Sequence, residues 1–265
     1  MDVLGIDLEF VLGVAREAAA LAMRRSLSVT PEEKANKSYV TDLDRDMECF
    51  IRDRLAARFP DDQLTGEEFA DSGGKGRRRW SIDPIDGTGN LVHQLPLWCI
   101  SIGLIDDGEP VLGVIAAPPL NELYWATKGG GAWRDGQRLI ARDADTLHDQ
   151  DNVCLGTNAF RVVDPRSLPG RLRDLGSACI ELAFVSAGRL QCTASLGEQA
   201  HDIAAGVVIA SEAGCTFATL DGRYLAPREF VGEAPVGKVT FTSTPRRMKA
   251  ILSHARRLPP REATS

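Results

Sequence analysis

Trp80-Ser81-Ile82-Asp83-Pro84-Ile85-Asp86-Gly87-Thr88-Gly89-Asn90 is the stretch around which the rest of the chain arranges itself. An apolar segment of strand character ends there in two carboxylates three residues apart, split by a proline and followed by Gly-Thr-Gly. Two readings are open. Asp beside Pro and Gly commonly caps a turn or a helix. Alternatively, Pro84 keeps the backbone extended so that Asp83, Asp86 and a carbonyl between them face one cavity, the all-oxygen donor set that magnesium takes. Gly87 then lets the chain turn closely. A helix beginning near Thr88 would aim unpaired backbone N–H groups at the same cavity, which suits phosphate.

Other acids stand on either side. Gly66-Glu67-Glu68 follows Leu64 and Thr65, and His201-Asp202-Ile203-Ala204-Ala205-Gly206 places Asp202 at the predicted start of a helix. Taken singly, Glu67 and Glu68 read as solvated loop charges and Asp202 as an N-cap. Around them the periodicity predicts helices over residues 8–27 and 44–59, the second capped by Asp44 and ended by Pro60. Residues 70–79, ADSGGKGRRR, have no apolar period and read as an exposed loop. Short strands are predicted at 80–82, 97–105, 110–117 and 123–127, and again at 153–156, 190–194, 215–219 and 239–243. Helices at 178–186, 202–212 and 245–257 alternate with the later strands, which is an α/β pattern. We read one domain over 1–265. Its N-terminal lobe, about 1–145, carries most of the acids; a C-terminal lobe covers about 146–258, and a frayed tail 259–265.

Composition narrows the function. Of 265 residues, 43% are hydrophobic, enough for a sizeable core. The 37 acids against 31 Lys and Arg give a net charge of −6, without the basic excess that nucleic-acid binding needs. No apolar run approaches the roughly 20 residues of a membrane span. The opening MDVLGIDLEF has early acids and no basic segment before an apolar run, so a cytoplasmic location and no membrane partner are expected. Six scattered cysteines form no C-x-x-C pair, and four histidines show no zinc spacing. Buried free thiols and an oxygen-liganded metal are the expectation.

Together, Gly66-Glu67-Glu68, Asp83-Pro84-Ile85-Asp86-Gly87-Thr88 and Asp202-Ile203-Ala204-Ala205-Gly206, followed by Glu212-Ala213-Gly214, resemble the inositol monophosphatase family of magnesium-dependent, lithium-sensitive phosphatases. Further matches are Lys34-Ala35-Asn36-Lys37-Ser38-Tyr39-Val40-Thr41 before Asp44, Gly129-Gly130-Gly131-Ala132, and Gly176-Ser177-Ala178 leading to Ala187-Gly188-Arg189. The resemblance implies a layered α/β/α/β/α sandwich of the inositol monophosphatase and fructose-1,6-bisphosphatase type, assembled as a homodimer. It implies two or three Mg2+ ions per subunit: one on Glu67, Asp83 and the Ile85 carbonyl, a second on Asp83, Asp86 and Asp202, with Asp83 bridging, and a third near Glu67. Glu67 and Thr88, the latter bonded to Asp44, would orient the attacking water. Asp86, Gly87, Thr88, Gly176, Ser177, Ser195 and Glu198 would bind the substrate, a small phosphorylated metabolite.

The chain also departs from the family pattern. Gly89 and Leu91 follow the Asp-Gly-Thr in place of larger residues, His201 stands where tryptophan is common, and Gln191 and Ser195 replace acids that hold inositol hydroxyls. These departures bear on the alcohol part of the substrate; inositol 1-phosphate remains the default. Histidinol phosphate, fructose 1,6-bisphosphate and 3′-phosphoadenosine 5′-phosphate are alternatives, and Glu198 would suit a cationic alcohol. A non-catalytic regulator that binds metal and phosphate is the alternative of another class; the intact acids and Thr88 argue against it.

Overall fold

Apolar residues at helical spacing give α1 (Leu8–Arg25), whose start is capped by the Asp7 carboxylate accepting the Phe10 N–H at 3.2 Å. The computed structural model describes residues 2–3, 6–35, 38–232 and 234–259. Asn36 and Lys37 of the Lys34–Thr41 motif, and the tail beyond Pro259, lie outside the described residues. α2 (Asp42–Arg58) begins two residues before the expected start. Its cap is Thr41, in extended backbone, with Asp44 reaching back from inside the first turn to the Thr41 N–H at 2.9 Å. The two form a capping box, so Asp44 serves as the return partner and not as the cap.

Against one face of an eight-stranded sheet lie α1 and α2. From edge to edge the strands are Gln137–Leu139, Gly131–Arg134, Glu122–Thr127, Glu109–Ala117, Cys99–Asp106, Arg78–Asp86, Gln63–Gly66 and Ser72–Gly73. Neighbours run antiparallel except Gln63–Gly66 beside Arg78–Asp86. The expected exposed loop at 70–79 is therefore shorter than predicted: Ser72–Gly73 pairs with Gln63 and Leu64, and the central strand already starts at Arg78. That strand runs on through Pro84 to Asp86, with its register shifted between Asp83 and Asp86. The irregularity accommodates a residue that cannot donate to the ladder.

Short helices α3 (Thr88–Val92) and α4 (Thr157–Phe160) precede two long ones, α5 (Ala178–Ser186) and α6 (Ala200–Glu212). These two pack on each other and fill the space between the first sheet and a second of six strands. In the second sheet the order is Arg171–Arg173, Asn152–Leu155, Cys192–Ser195, Thr240–Ser243, Thr216–Thr219 and Tyr224–Leu225, with parallel and antiparallel pairs. After α7 (Pro227–Phe230), α8 (Pro245–His254) covers the outer face of this sheet with Met248 and Ile251. The result is the expected mixed α/β sandwich, layered α/β/α/β/α.

Side-chain size decides how close the layers come. In Cys99–Asp106, Ile100, Ile102 and Leu104 point to the α1 and α2 side. The opposite face offers Ser101 and Gly103, beside Gly113 of the neighbouring strand. α6 lies down on that floor: a Cβ built at Gly103 would stand 2.8 Å from the Ala204 Cβ, and one at Gly113 2.3 Å from the Ala205 carbonyl oxygen. On its other side Gly206 of α6 meets Leu182 of α5, where a Cβ would fall 2.6 Å from a leucine methyl. Small residues on both helix faces thus set the height at which Asp202 is carried.

Replacing Gly113 by Ala should force α6 off the sheet and cost about 1–3 kcal/mol, the usual penalty of overpacking. Gly13, in α1 with open space around its Cα, is the contrast, since Gly13→Ala should stabilise by about 0.5–1 kcal/mol. Urea unfolding midpoints of both variants check the pair. Similar midpoints for the two would contradict the close approach.

Candidate active site

Four acids expected to act together do face one cavity. Glu67, Asp83, Asp86 and Asp202, with Ile85, Gly87, Thr88 and Gly176, line a space of about 390 Å3 whose rim carries Ser38 and Tyr39. The first sheet supplies Asp83 and Asp86 from one strand, the turn after Gln63–Gly66 supplies Glu67, and α6 supplies Asp202. Asp202 belongs to the third position of α6, and its carboxylate accepts the Gln199 N–H at 2.6 Å. His201 Nε2 lies 3.3 Å from the same carboxylate.

Each carboxylate has a different support. Asp83 is 2% exposed and accepts the Ile85 N–H at 3.1 Å. Asp86 accepts the Ser177 hydroxyl at 2.6 Å and the Cys179 N–H at 2.7 Å on one oxygen, so the start of α5 is fastened to the central strand. Ser177 is itself buried and is the cap of α5. Lys34 Nζ sits 2.8 Å from Glu67 and 2.6 Å from Glu68. Behind the cavity, wholly buried Asp44 accepts the Thr88 hydroxyl at 2.8 Å on Oδ1, with the Ile85 carbonyl 2.9 Å from that hydroxyl. On its other oxygen Asp44 accepts the Thr41 hydroxyl at 2.5 Å.

Gly87 is the residue that permits the turn. Its φ is +90°, and a Cβ there would lie 2.8 Å from the Leu97 carbonyl and 3.2 Å from the Ser177 Cβ. Asn90, one turn into α3, donates to the Leu97 carbonyl at 2.6 Å and the Leu175 carbonyl at 2.7 Å, tying α3 to the Gly176 turn. Ser195 and Glu198 stand apart from the cavity lining, half-buried at the end of Cys192–Ser195 and in the turn before α6. Burial, and then the charges of Asp202 and Asp86, push the Glu198 carboxyl up to about 8.

Three supports lie outside the sequence reading. Glu48 and Arg52, one helical turn apart on α2, form a buried ion pair at 2.7 Å. Glu48 accepts the Glu68 N–H at 2.7 Å, and Arg52 donates to Phe69 O and Ser72 Oγ, so the pair grips the loop that carries Glu67. Gly66 gives Glu48 room, since a Cβ there would fall 2.2 Å from its carboxylate. The only cue in the sequence is an i,i+4 acid–base spacing, which surface helices share. Second, Cys99 and Cys179 bring their sulfurs beside Asp86, with all three ligand atoms within 4.8 Å of one another. The thiols are buried as expected, except Cys49, which is exposed. Third, Glu181 of α5 is buried and accepts the Thr193 hydroxyl at 2.7 Å.

The electrostatics call for a cation. Burial, followed by the charges of Asp86, Glu67 and Asp202, holds Asp83 well above the ordinary carboxylate range. Burial raises Asp86 to about 7 against the bonds from Ser177 and Cys179, and raises Asp202 against nearby His201. Asp44 is raised to about 6 by burial, opposed by its bonds to Thr41 and Thr88. No described Lys or Arg pairs with Asp83 or Asp86. Buried acids without a counter-charge, together with the Ile85 carbonyl on the same wall, form an oxygen donor set suited to a hard divalent ion.

Comparison with known proteins agrees with this chemistry. Residues 6–258 match the profile described as the inositol monophosphatase family. The fructose-1,6-bisphosphatase/inositol-1-monophosphatase of Thermotoga maritima is 35% identical over 227 residues, 82% of this chain and 86% of that protein. A histidinol-phosphatase of Chlorobaculum parvum is 35% identical over 224 residues, 80% of this chain and 85% of its own length. Among solved structures, the Thermotoga maritima IMPase superposes with a TM-score of 0.81 at 31% identity, covering 93% of this chain and 95% of the other.

The raised carboxyls set the pH response of the metal-free protein. Asp86 and Asp44 bind protons more tightly folded than unfolded, so their contribution to stability is full below about pH 4 and is lost as pH rises through about 6 to 7. In chelator, the melting temperature should be lower at pH 8 than at pH 5.5, and added magnesium should raise it more at pH 8. Thermal melts at the two pH values check the sign.

Proposed function

Because the chain belongs to the inositol monophosphatase family and is a metal-dependent hydrolase of phosphate monoesters, we propose that magnesium, two or three ions per subunit, is its metal. Glu67, Asp83, the Ile85 carbonyl, Asp86 and Asp202 would hold the ions, with Asp83 between them. The observation that carries this reading is the meeting of these acids in one cavity beside a threonine hydroxyl fixed from behind by a buried aspartate. Bound magnesium supplies positive charge that activates water and offsets the negative phosphoryl group.

The residues around it orient and support. The Thr88 hydroxyl donates its hydrogen bond to Asp44 or to the Ile85 carbonyl, which leaves its lone pairs free to accept a bond from the attacking water. Glu67 is the second acceptor for that water. Lys34 neutralises Glu67 and Glu68 from the facing hairpin. Backbone N–H groups of Gly87 and Thr88 bind phosphoryl oxygens and oppose the charge that grows in the transition state. Ser177 acts on the substrate through Asp86, whose orientation it fixes. Lithium sensitivity and homodimer assembly belong to the same reading.

Inositol 1-phosphate is the default substrate class. A second reading, histidinol phosphate, is supported by Glu198, a half-buried acid next to the metal ligands, together with the histidinol-phosphatase relative. A cation on either the substrate or the neighbouring acids would draw Glu198 back to its ionised form.

Phosphate release should be measured from inositol 1-phosphate, histidinol phosphate, fructose 1,6-bisphosphate and 3′-phosphoadenosine 5′-phosphate, with magnesium and with chelator. Hydrolysis of one ester far above the others, lost in chelator, is the expected result. Asp83→Asn should lower kcat by on the order of 10³-fold with the melting curve little changed, as expected when transition-state charge stabilisation is removed. Full activity in that variant would sink the ligand assignment. Glu198→Gln should raise KM for histidinol phosphate about 10-fold and leave inositol 1-phosphate nearly unaffected, the loss of one charge-assisted contact; equal effects would remove the case for a cationic alcohol.

A further inference from the structure

Away from the acidic cavity, a second cavity of about 370 Å3 opens between the segment 141–151, the end of α5 and the start of α8. Its polar wall is the reverse of the first: Arg142 and Arg247 line it with His148, Thr244 and one acid, Asp151. Neither arginine forms an ion pair with a described carboxylate. Arg247 donates Nη1–H to the Arg142 carbonyl at 3.0 Å, while its Nε–H is buried and meets no acceptor. The charge of both guanidinium groups is therefore left without a carboxylate among the described residues. The acids nearby are already engaged. Asp151 accepts the His148 N–H at 2.9 Å, and Asp143 accepts from the Arg246 side chain and from the first N–H groups of α8.

We propose that this cavity is a second ligand site, for a phosphate dianion bound between Arg142 and Arg247. The forked donors of two guanidinium groups match tetrahedral phosphate oxygens. His148 Nε2, 2.9 Å from the Thr146 hydroxyl, stands at the mouth. Val185, in the last turn of α5, lines the same cavity. The cavity thus adjoins the far end of the helix whose first turn holds Asp86.

Equilibrium dialysis of the full chain in chelator against labelled inorganic phosphate, and separately against glycerol 2-phosphate, tests this. Without divalent ions the four-acid cavity repels both probes, so saturable binding of one anion per chain is expected from the arginine cavity alone. Arg142→Glu, on an exposed side chain, should weaken it at least about 10-fold, and Arg247→Gln should do the same where it folds. Asp83→Asn should leave it unchanged. Binding of phosphate alone would identify the free ion as the ligand; binding of both would identify a phosphoryl group whose alcohol extends outward. Absence of saturable binding at tens of millimolar, binding indifferent to Arg142→Glu, or binding lost in Asp83→Asn would each overturn the proposal.

Discussion

Asp83, Asp86 and Asp202 are held together against their own charge. Burial disfavours each ionised carboxylate and their proximity adds repulsion, so nothing local would keep them on one wall. Packing elsewhere does so. The central strand is buried on both faces, α6 is seated on a floor of Gly103 and Gly113, and the first turn of α5 is bonded to Asp86. Apolar burial and close backbone approach thus supply the stability that the acids draw down. A cation among the acids removes that opposition, which makes the same packing both scaffold and metal-site preorganisation.

The loop that carries Glu67 solves a related problem by other means. Gly66-Glu67-Glu68 has no apolar anchor of its own, yet it is fixed by the buried Glu48–Arg52 pair beneath it. Arg52 spends its donors on the loop's backbone and on Ser72, and Glu48 spends its second oxygen on the Glu68 N–H. A buried ion pair of this kind adds little net stability against an apolar replacement, but it is specific in geometry. Here that specificity is applied directly behind a metal-ligand candidate.

Much of the fold is legible in the sequence where the signal is local. α1, α5 and the strands flanking Asp107-Gly108 follow from periodicity and turn residues, and Asp83-Pro84-Ile85-Asp86-Gly87-Thr88 keeps its site chemistry within six residues. The expected helix starts fall two positions late where a cap is shared, as at Thr41 and Asp44, and at Gln199 and Asp202. In both, an acid three residues inside the helix returns a bond to the cap backbone, which moves the true start upstream. What stayed invisible is non-local. Gly103 and Gly113 matter only because α6 arrives far later in the chain, and Cys99 and Cys179 meet beside Asp86 only once α5 has docked. The arginine pair of the second cavity is likewise assembled from segments that share no motif.

The bonds from Ser177 and Cys179 to Asp86 span 91 and 93 residues of chain. Contacts of such sequence separation are paid for in loop-closure entropy before they return anything, so they form late. A ribosome that has delivered the first sheet has therefore exposed Asp83 and Asp86 with neither their hydrogen-bond donors nor Asp202. The chain is built so that its most acidic wall closes only after α5 and α6 have been synthesised and docked. Catalytic competence is consequently a property of the finished sandwich, and a half-made or half-unfolded chain has no partial version of it.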